Sequence, residues 1–304
     1  MNRPAAFAGT FYPHRPETLR RMIDALLGNA AGGRGGSTLP RERKGPHGGM
    51  GGASAEGANA PDRTRRPQKT SAIACIVPHA GYVYSGAVAA QTLASVALPE
   101  VCIIICPNHT GWGPDASIMT QGTWSTPFGD VPVCEDLARA LLKKSAHLEG
   151  DDTAHAQEHA IEVQLPLIQA LRGKPFSIVP IVLASVPNLV YKDIASAVAL
   201  AVRETKAPTL VIASTDLTHY EPQQQANRKD KIAIEAMLGR DDEGLVRQVG
   251  EHAISMCGVL PAATVICAAK LLGATQSRLI AYQTSGDVTR DYSAVVGYAG
   301  LTLR

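Results

Sequence analysis

A chain of 304 residues has room for one large α/β domain or two ordinary ones, with a sizeable core in either case. Hydrophobic residues at 45% and charged residues at 18% exclude a disordered polymer, and a formal net charge of +2 gives no electrostatic footprint for nucleic acid or an anionic membrane. No run of about 18 apolar residues occurs and the amino terminus lacks the apolar core of a secretory signal, so the expectation is a soluble, cytoplasmic protein.

In chain order, the first element is an amphipathic helix over 17–28, with apolar side chains at 19, 22, 23, 26 and 27 after Pro16. A different composition follows from about 31 to 69. Ten of the chain's 28 glycines lie between 32 and 57, among Arg41, Arg43, Lys44, Arg63, Arg65 and Arg66. Such a stretch has too little apolar surface to offset its ordering entropy. It reads as a flexible insertion within a single domain spanning 1–304, and the absence of aromatics argues for a solvated loop rather than a nucleic-acid arm.

Beyond residue 70, apolar runs predict strands near 72–77, 101–106, 176–184, 209–214, 278–284 and 293–302. Helical patterns fall near 85–97, 135–145, 159–171, 190–204, 228–239 and 260–272. Alternation of this kind predicts an α/β fold with a mostly parallel central sheet and helices on both faces. Six cysteines, at 75, 102, 106, 134, 257 and 267, form no CxxC pair, and those at 75, 102 and 106 lie in predicted strands as small buried hydrophobes. Reduced thiols fit a cytoplasmic setting.

The chemistry concentrates where strands end. Ala74-Cys-Ile-Val-Pro-His79 and Val101-Cys-Ile-Ile-Ile-Cys-Pro-Asn-His109 share one design, an apolar run, a proline and then a histidine. Both imidazoles should emerge past the carboxyl ends of buried parallel strands, where open α/β sheets build their sites. A third run, Thr209–Ala213, leads into Ser-Thr-Asp-Leu-Thr-His219 and delivers Asp216 and His219 to the same rim. Gly286-Asp287, after the strand from Leu279, adds a further rim carboxylate, and Tyr82 and Tyr84 are either pocket hydroxyls or packing residues.

Cys257 stands just before a predicted helix that carries Pro261 in its opening turn, so its thiol is expected to ionise more readily than a strand cysteine. A thiolate serves as a nucleophile or as a soft metal ligand. His155-Ala-Gln-Glu158-His159 matches the H-x-x-E-H spacing of inverted zinc peptidases, in which two histidines one turn apart bind zinc. The competing reading is a polar helix start abutting the site, with Ile161, Leu165 and Ile168 as the core stripe behind it. Asp152 and Thr153 are expected to cap a helix.

Seven stretches taken together resemble the Memo-like family, whose microbial members are called AmmeMemoRadiSam system protein B. They are Ala8–Pro13, Pro78–Tyr82, Pro107–Thr110, Glu158–Pro166, Ser214–His219, Met256–Gly258 and Thr284–Asp287, in the family's order. The resemblance implies a fold like the catalytic subunit of class III (LigB-type) extradiol dioxygenases. It also implies a metal site of His79, His109 and Cys257, holding Fe(II) first and Cu or Zn as alternatives. His159, Asp216 and His219 would then orient ligands and move protons. His155 falls outside the family's pattern, which counts against the peptidase reading.

The function so implied is a non-haem metal-binding protein with redox or dioxygenase-like activity on a small-molecule or peptide substrate. A radical SAM protein and an AMMECR1-like protein are the implied partners. Extradiol enzymes hold iron with two histidines and a carboxylate, so a cysteine in the set is a departure. The other class of reading is a non-catalytic protein that uses the same pocket to bind phosphorylated or anionic peptides.

Overall fold

The computed structural model describes residues 2–31 and 69–304. The expected glycine- and arginine-rich insertion therefore falls outside the described residues. The first half contains β1 (Asn2–Arg3), α1 (Pro16–Ala31), β2 (Ala74–Val77), α2 (Tyr82–Ala94), β3 (Val101–Pro107) and β4 (Ala116–Ile118). It continues with β5 (Thr123–Trp124), β6 (Val131–Pro132), α3 (Glu135–Lys144), β7 (Glu149–Gly150), α4 (Thr153–Ala156), α5 (His159–Glu162) and α6 (Gln164–Arg172). The second half contains β8 (Ser177–Leu183), α7 (Asn188–Glu204), β9 (Thr209–Ser214), α8 (Gln223–Gly239), α9 (Asp242–Glu251), α10 (Val259–Leu271), β10 (Ser277–Thr284), α11 (Gly286–Thr289) and β11 (Gly297–Leu303).

Eight strands form one mixed sheet in the order β10-β11-β2-β9-β3-β8-β4-β7. Its centre, β2-β9-β3-β8, is parallel throughout. Every residue of β2 and β3 is buried, as the unbroken apolar runs require of strands covered on both faces. The helices α2 and α10 supply cover, α2 over β2, β10 and β11, and α10 over β2, β3 and β9. No helix among the described residues is long and apolar enough to cross a membrane.

The α/β class and mostly parallel sheet agree with the sequence reading, and differences are local. The last strand begins at Gly297 rather than 293, because Val295 leaves the sheet to bridge Glu221. The helix expected over 159–171 is two pieces, α5 and α6, joined at Val163. Helix α9 had no counterpart in the sequence reading. Its start is set by Asp241, whose carboxylate accepts the Gly244 N–H at 2.8 Å.

A buried ion pair ties the amino terminus to α5. Arg3 and Glu162 are both fully buried, with Nη1 of Arg3 2.6 Å from Oε2 of Glu162. Glu162 also accepts from the Ala6 and Phe7 amides and from the Tyr12 hydroxyl at 3.1, 2.9 and 2.5 Å. Arg3 in turn donates to the carbonyls of His155 and Glu158 at 2.6 and 2.7 Å, beneath the ring of Trp124. A paired, fully hydrogen-bonded guanidinium is the form in which a buried charge is tolerated.

Candidate metal centre

The three adjacent strands β2, β9 and β3 each place a polar side chain two residues past their end: His79, Asp216 and His109. The sheet order inserts β9 between β2 and β3, so the two histidines start two strand spacings apart, about 9.6 Å. Their side chains converge over β9 until the ring centroids are 5.2 Å apart and nearly perpendicular. His159, opening α5, completes the group, its ring stacked on His109 at 4.5 Å and edge-on to His79 at 5.3 Å.

Cys257 enters from the start of α10, with Sγ 3.4 Å from Nε2 of His79. Its approach depends on a glycine. A Cβ on Gly258 would lie 2.5 Å from Cβ and 2.6 Å from Oγ1 of Thr215, and 3.0 Å from the Ser214 carbonyl. The glycine therefore lets the α10 entry lie against the β9 exit, where its N–H reaches Thr215 Oγ1 at 3.0 Å. The Asp216 N–H points at Sγ at 3.3 Å.

Beneath the imidazoles lies Glu158, fully buried in extended backbone between α4 and α5. Its Oε2 accepts the His109 backbone N–H at 2.8 Å, and its Oε1 accepts the Ala160 N–H at 2.9 Å. Nδ1 of His109 stands 2.9 Å from Oε1, and Nδ1 of His159 3.4 Å from the same atom. Burial raises the Glu158 pKa, but the His109 contacts and the nearby His159 more than reverse this and hold the carboxyl near about 2. His79 and His159 are pushed the other way, each to about 3, chiefly by burial and then by neighbouring imidazoles. Both rings are neutral near pH 7.

Burial in the metal-free fold opposes the acidity expected of Cys257. Burial and the Asp216 carboxylate push its thiol up to about 12, and the Asp216 N–H only partly offsets them. The thiol is therefore no more acidic than strand Cys102, also raised to about 12. All six cysteines are free thiols, and those at 75, 102 and 106 are buried as expected.

All six expected site residues lie at one rim. Asp216 is buried and accepts the His79 N–H at 2.8 Å. His219 is turned outward, its Nδ1 2.8 Å from the Ser255 carbonyl on the segment leading to Cys257. His155 is elsewhere. It is fully buried, 3.0 Å from Ser117 Oγ and edge-on to Trp124. The break between α4 and α5 puts Glu158 in extended backbone, so the H-x-x-E-H residues do not share one helix face and the zinc-peptidase geometry is absent.

Other residues take packing roles. Tyr82 is buried and its hydroxyl donates to the Val163 carbonyl at 2.7 Å. Asp287 accepts the Thr284 N–H at 2.8 Å. The carboxylate holding the first turn of α4 is that of Asp151, which accepts the Ala154 N–H at 2.8 Å.

Among the described residues, two sets of side chains have ligand atoms within 4.8 Å of one another, His79–His109–Cys257 and His109–Glu158–His159. For tetrahedral coordination with metal–nitrogen and metal–sulfur bonds of about 2.1 and 2.3 Å, the nitrogen–sulfur separation is about 3.6 Å. The observed 3.4 Å between His79 and Cys257 fits a shared metal. In the second set, Glu158 already takes two amide donors and His109, which leaves the first as the better ligand set.

The model of the Memo-like protein family matches residues 3–302. The chain belongs to the Memo-like family. It is 40% identical over 307 residues to a MEMO1 family protein of Methanopyrus kandleri, covering 100% of this chain and 99% of that one. A MEMO1 family protein of Methanothermobacter thermautotrophicus is 41% identical over 305 residues, covering 99% and 100%. An uncharacterized Escherichia coli K12 protein of known structure shares the fold at 14% identity and a TM-score of 0.51, covering 76% of this chain and 99% of that one. In this Memo-like chain, the residues at the strand ends and α10 supply a His/His/Cys set with the spacing of a metal site.

Proposed function

We propose that this Memo-like protein holds a transition metal at His79, His109 and Cys257 and carries out redox or dioxygenase-like chemistry there. The 3.4 Å separation of His79 Nε2 and Cys257 Sγ, with His109 in the same 4.8 Å group, carries the reading. Two borderline imidazoles and one thiolate suit Fe(II), and also Cu or Zn, and three protein ligands leave positions for water or substrate. When bound, Fe(II) or Cu would supply one-electron and oxygen chemistry, and Zn only Lewis acidity. The ring of His159, stacked on His109, would orient groups held at the site and relay protons to or from them. Asp216 fixes the His79 backbone, and His219 stands at the outer edge as a second proton carrier. A radical SAM protein and an AMMECR1-like protein are proposed partners on the strength of the family resemblance.

Elemental analysis of anaerobically purified protein tests this, with wild type beside His79→Ala and Cys257→Ala and electron paramagnetic resonance on the metal found. Near-stoichiometric iron or copper in wild type, lost in both variants, is the expected result. A metal-free wild type that cannot be reconstituted would overturn it and return the cluster to the reading as a pocket for anionic peptides.

A further inference from the structure

An imidazole binds a metal through either ring nitrogen, and the partner of the other nitrogen decides which. Two separate sets of buried groups make that decision here. Ser214 Oγ donates to the Ala160 carbonyl at 2.7 Å, which uses the hydroxyl's one proton. Gln164 Nε2 donates to Ser214 Oγ and to the Pro78 carbonyl, both at 2.9 Å. Ser214 Oγ also faces Nδ1 of His79 at 3.1 Å, so the proton in that contact resides on Nδ1.

At His109 the acceptor is Glu158. Two backbone N–H groups fix its carboxylate, from His109 itself and from Ala160, and Nδ1 of His109 meets Oε1 at 2.9 Å. Both carboxyl oxygens already face N–H donors as acceptors, so in this contact Nδ1 donates. We propose that Glu158 and the Gln164–Ser214 pair are positioning residues that hold His109 and His79 in their Nδ1–H tautomers, so that each presents Nε2 as its ligand atom. Nε2 of His79 is the atom that faces Cys257 Sγ. The inference rests on the metal-site reading only in taking these two rings as ligands.

The consequences are separable. Glu158→Gln turns an acceptor-only group into an amide whose NH2 competes for the same position, so His109 takes the other tautomer or rotates. Ser214→Ala removes the hydroxyl acceptor for His79 Nδ1, leaving only the residue-214 backbone, and leaves His109 untouched. Each variant is expected to weaken metal binding by about 10- to 100-fold, the usual effect of removing a partner of a ligating histidine.

Long-range proton–nitrogen correlation spectra of metal-free, 15N-histidine-labelled protein provide the test, followed by Fe(II) titration of the same samples under anaerobic conditions. In wild type, His79 and His109 should show protonated Nδ1 and bare Nε2. Of the two ligand rings, Glu158→Gln should change only His109, and Ser214→Ala only His79. Protonated Nε2 on either ring in wild type, or Fe(II) affinity unchanged in both variants, overturns the proposal. A wild type with the expected tautomers that binds none of Fe(II), Cu or Zn overturns the metal reading instead, while the tautomer assignment stands. The wild-type spectrum decides the assignment even if the Glu158 variant fails to fold.

Discussion

Replacing Arg3 with Met probes the buried anchor beneath the site. The substitution keeps an unbranched side chain but removes a guanidinium that lies 4.1 Å from the Trp124 ring centroid and bonds Glu162 at 2.6 Å and the His155 and Glu158 carbonyls at 2.6 and 2.7 Å. An unmatched buried partner costs roughly 3–5 kcal/mol for an ion pair, and about 1–3 kcal/mol for a neutral acceptor left without a donor. The terms overlap, because the three remaining donors to Glu162 relieve part of its charge. A loss of about 3–5 kcal/mol is therefore the expected total. Glu162→Gln should cost a similar amount by stranding the guanidinium, and the double variant should cost clearly less than the two together. Urea unfolding, read as a lower midpoint at unchanged slope, measures all three. A loss below about 1 kcal/mol for Arg3→Met, or additive single effects, would refute the anchor argument.

Three further outcomes are expected. Gly258→Ala should force Thr215 and the α10 entry apart, costing about 1–3 kcal/mol and lowering the metal content of purified protein, since its Cβ would sit 2.5 Å from that of Thr215. Tyr82→Phe should leave metal content unchanged while costing about 1–3 kcal/mol, because it strands only the buried Val163 carbonyl. The pH dependence has a definite sign. His79, His155 and His159 are each lowered by burial from 6.5 to about 3, so below pH 6.5 the unfolded chain takes up protons that the metal-free fold refuses. Stability should then fall with pH between about 6.5 and 3 by up to about 4 kcal/mol per unit for three such groups. Replacing His155 with Gln should flatten that slope by about one third, measured by urea unfolding across the range.

The parts of the fold legible in the sequence were those with dense local signals. The runs ending at Val77, Pro107 and Ser214 are apolar without interruption, and each is followed two residues later by the side chain it delivers, so both strand and rim could be read together. Helix α9 was not legible, because Gly244 and Gly250 dilute its pattern and Leu245 and Val249 alone mark its buried apolar face. Arg3 and Glu162 lie 159 residues apart, and no periodicity announces that two charges so distant will be buried together. Glu158 was visible as part of a motif, but its task beneath His109 depends on the break between α4 and α5, which the helical spacing of H-x-x-E-H concealed.

Cys257 shows why position in a helix is not sufficient to predict reactivity. A helix amino terminus stabilises a nearby anion by about 0.3–1 kcal/mol at an exposed position and at most about 2 kcal/mol when partly buried. A thiolate taken out of water loses more than that, and here the Asp216 carboxylate adds like-charge repulsion. The sequence displayed the helix start but not the burial or the carboxylate, because those come from the β9 exit, some forty residues earlier in the chain. A bound cation alters that balance. It neutralises the charge that burial and Asp216 disfavour, and a coordinating thiol gives up its proton to it. Metal uptake at this site should therefore release a proton from Cys257, and a net proton release near one per metal in weakly buffered solution that disappears in Cys257→Ala identifies thiolate ligation.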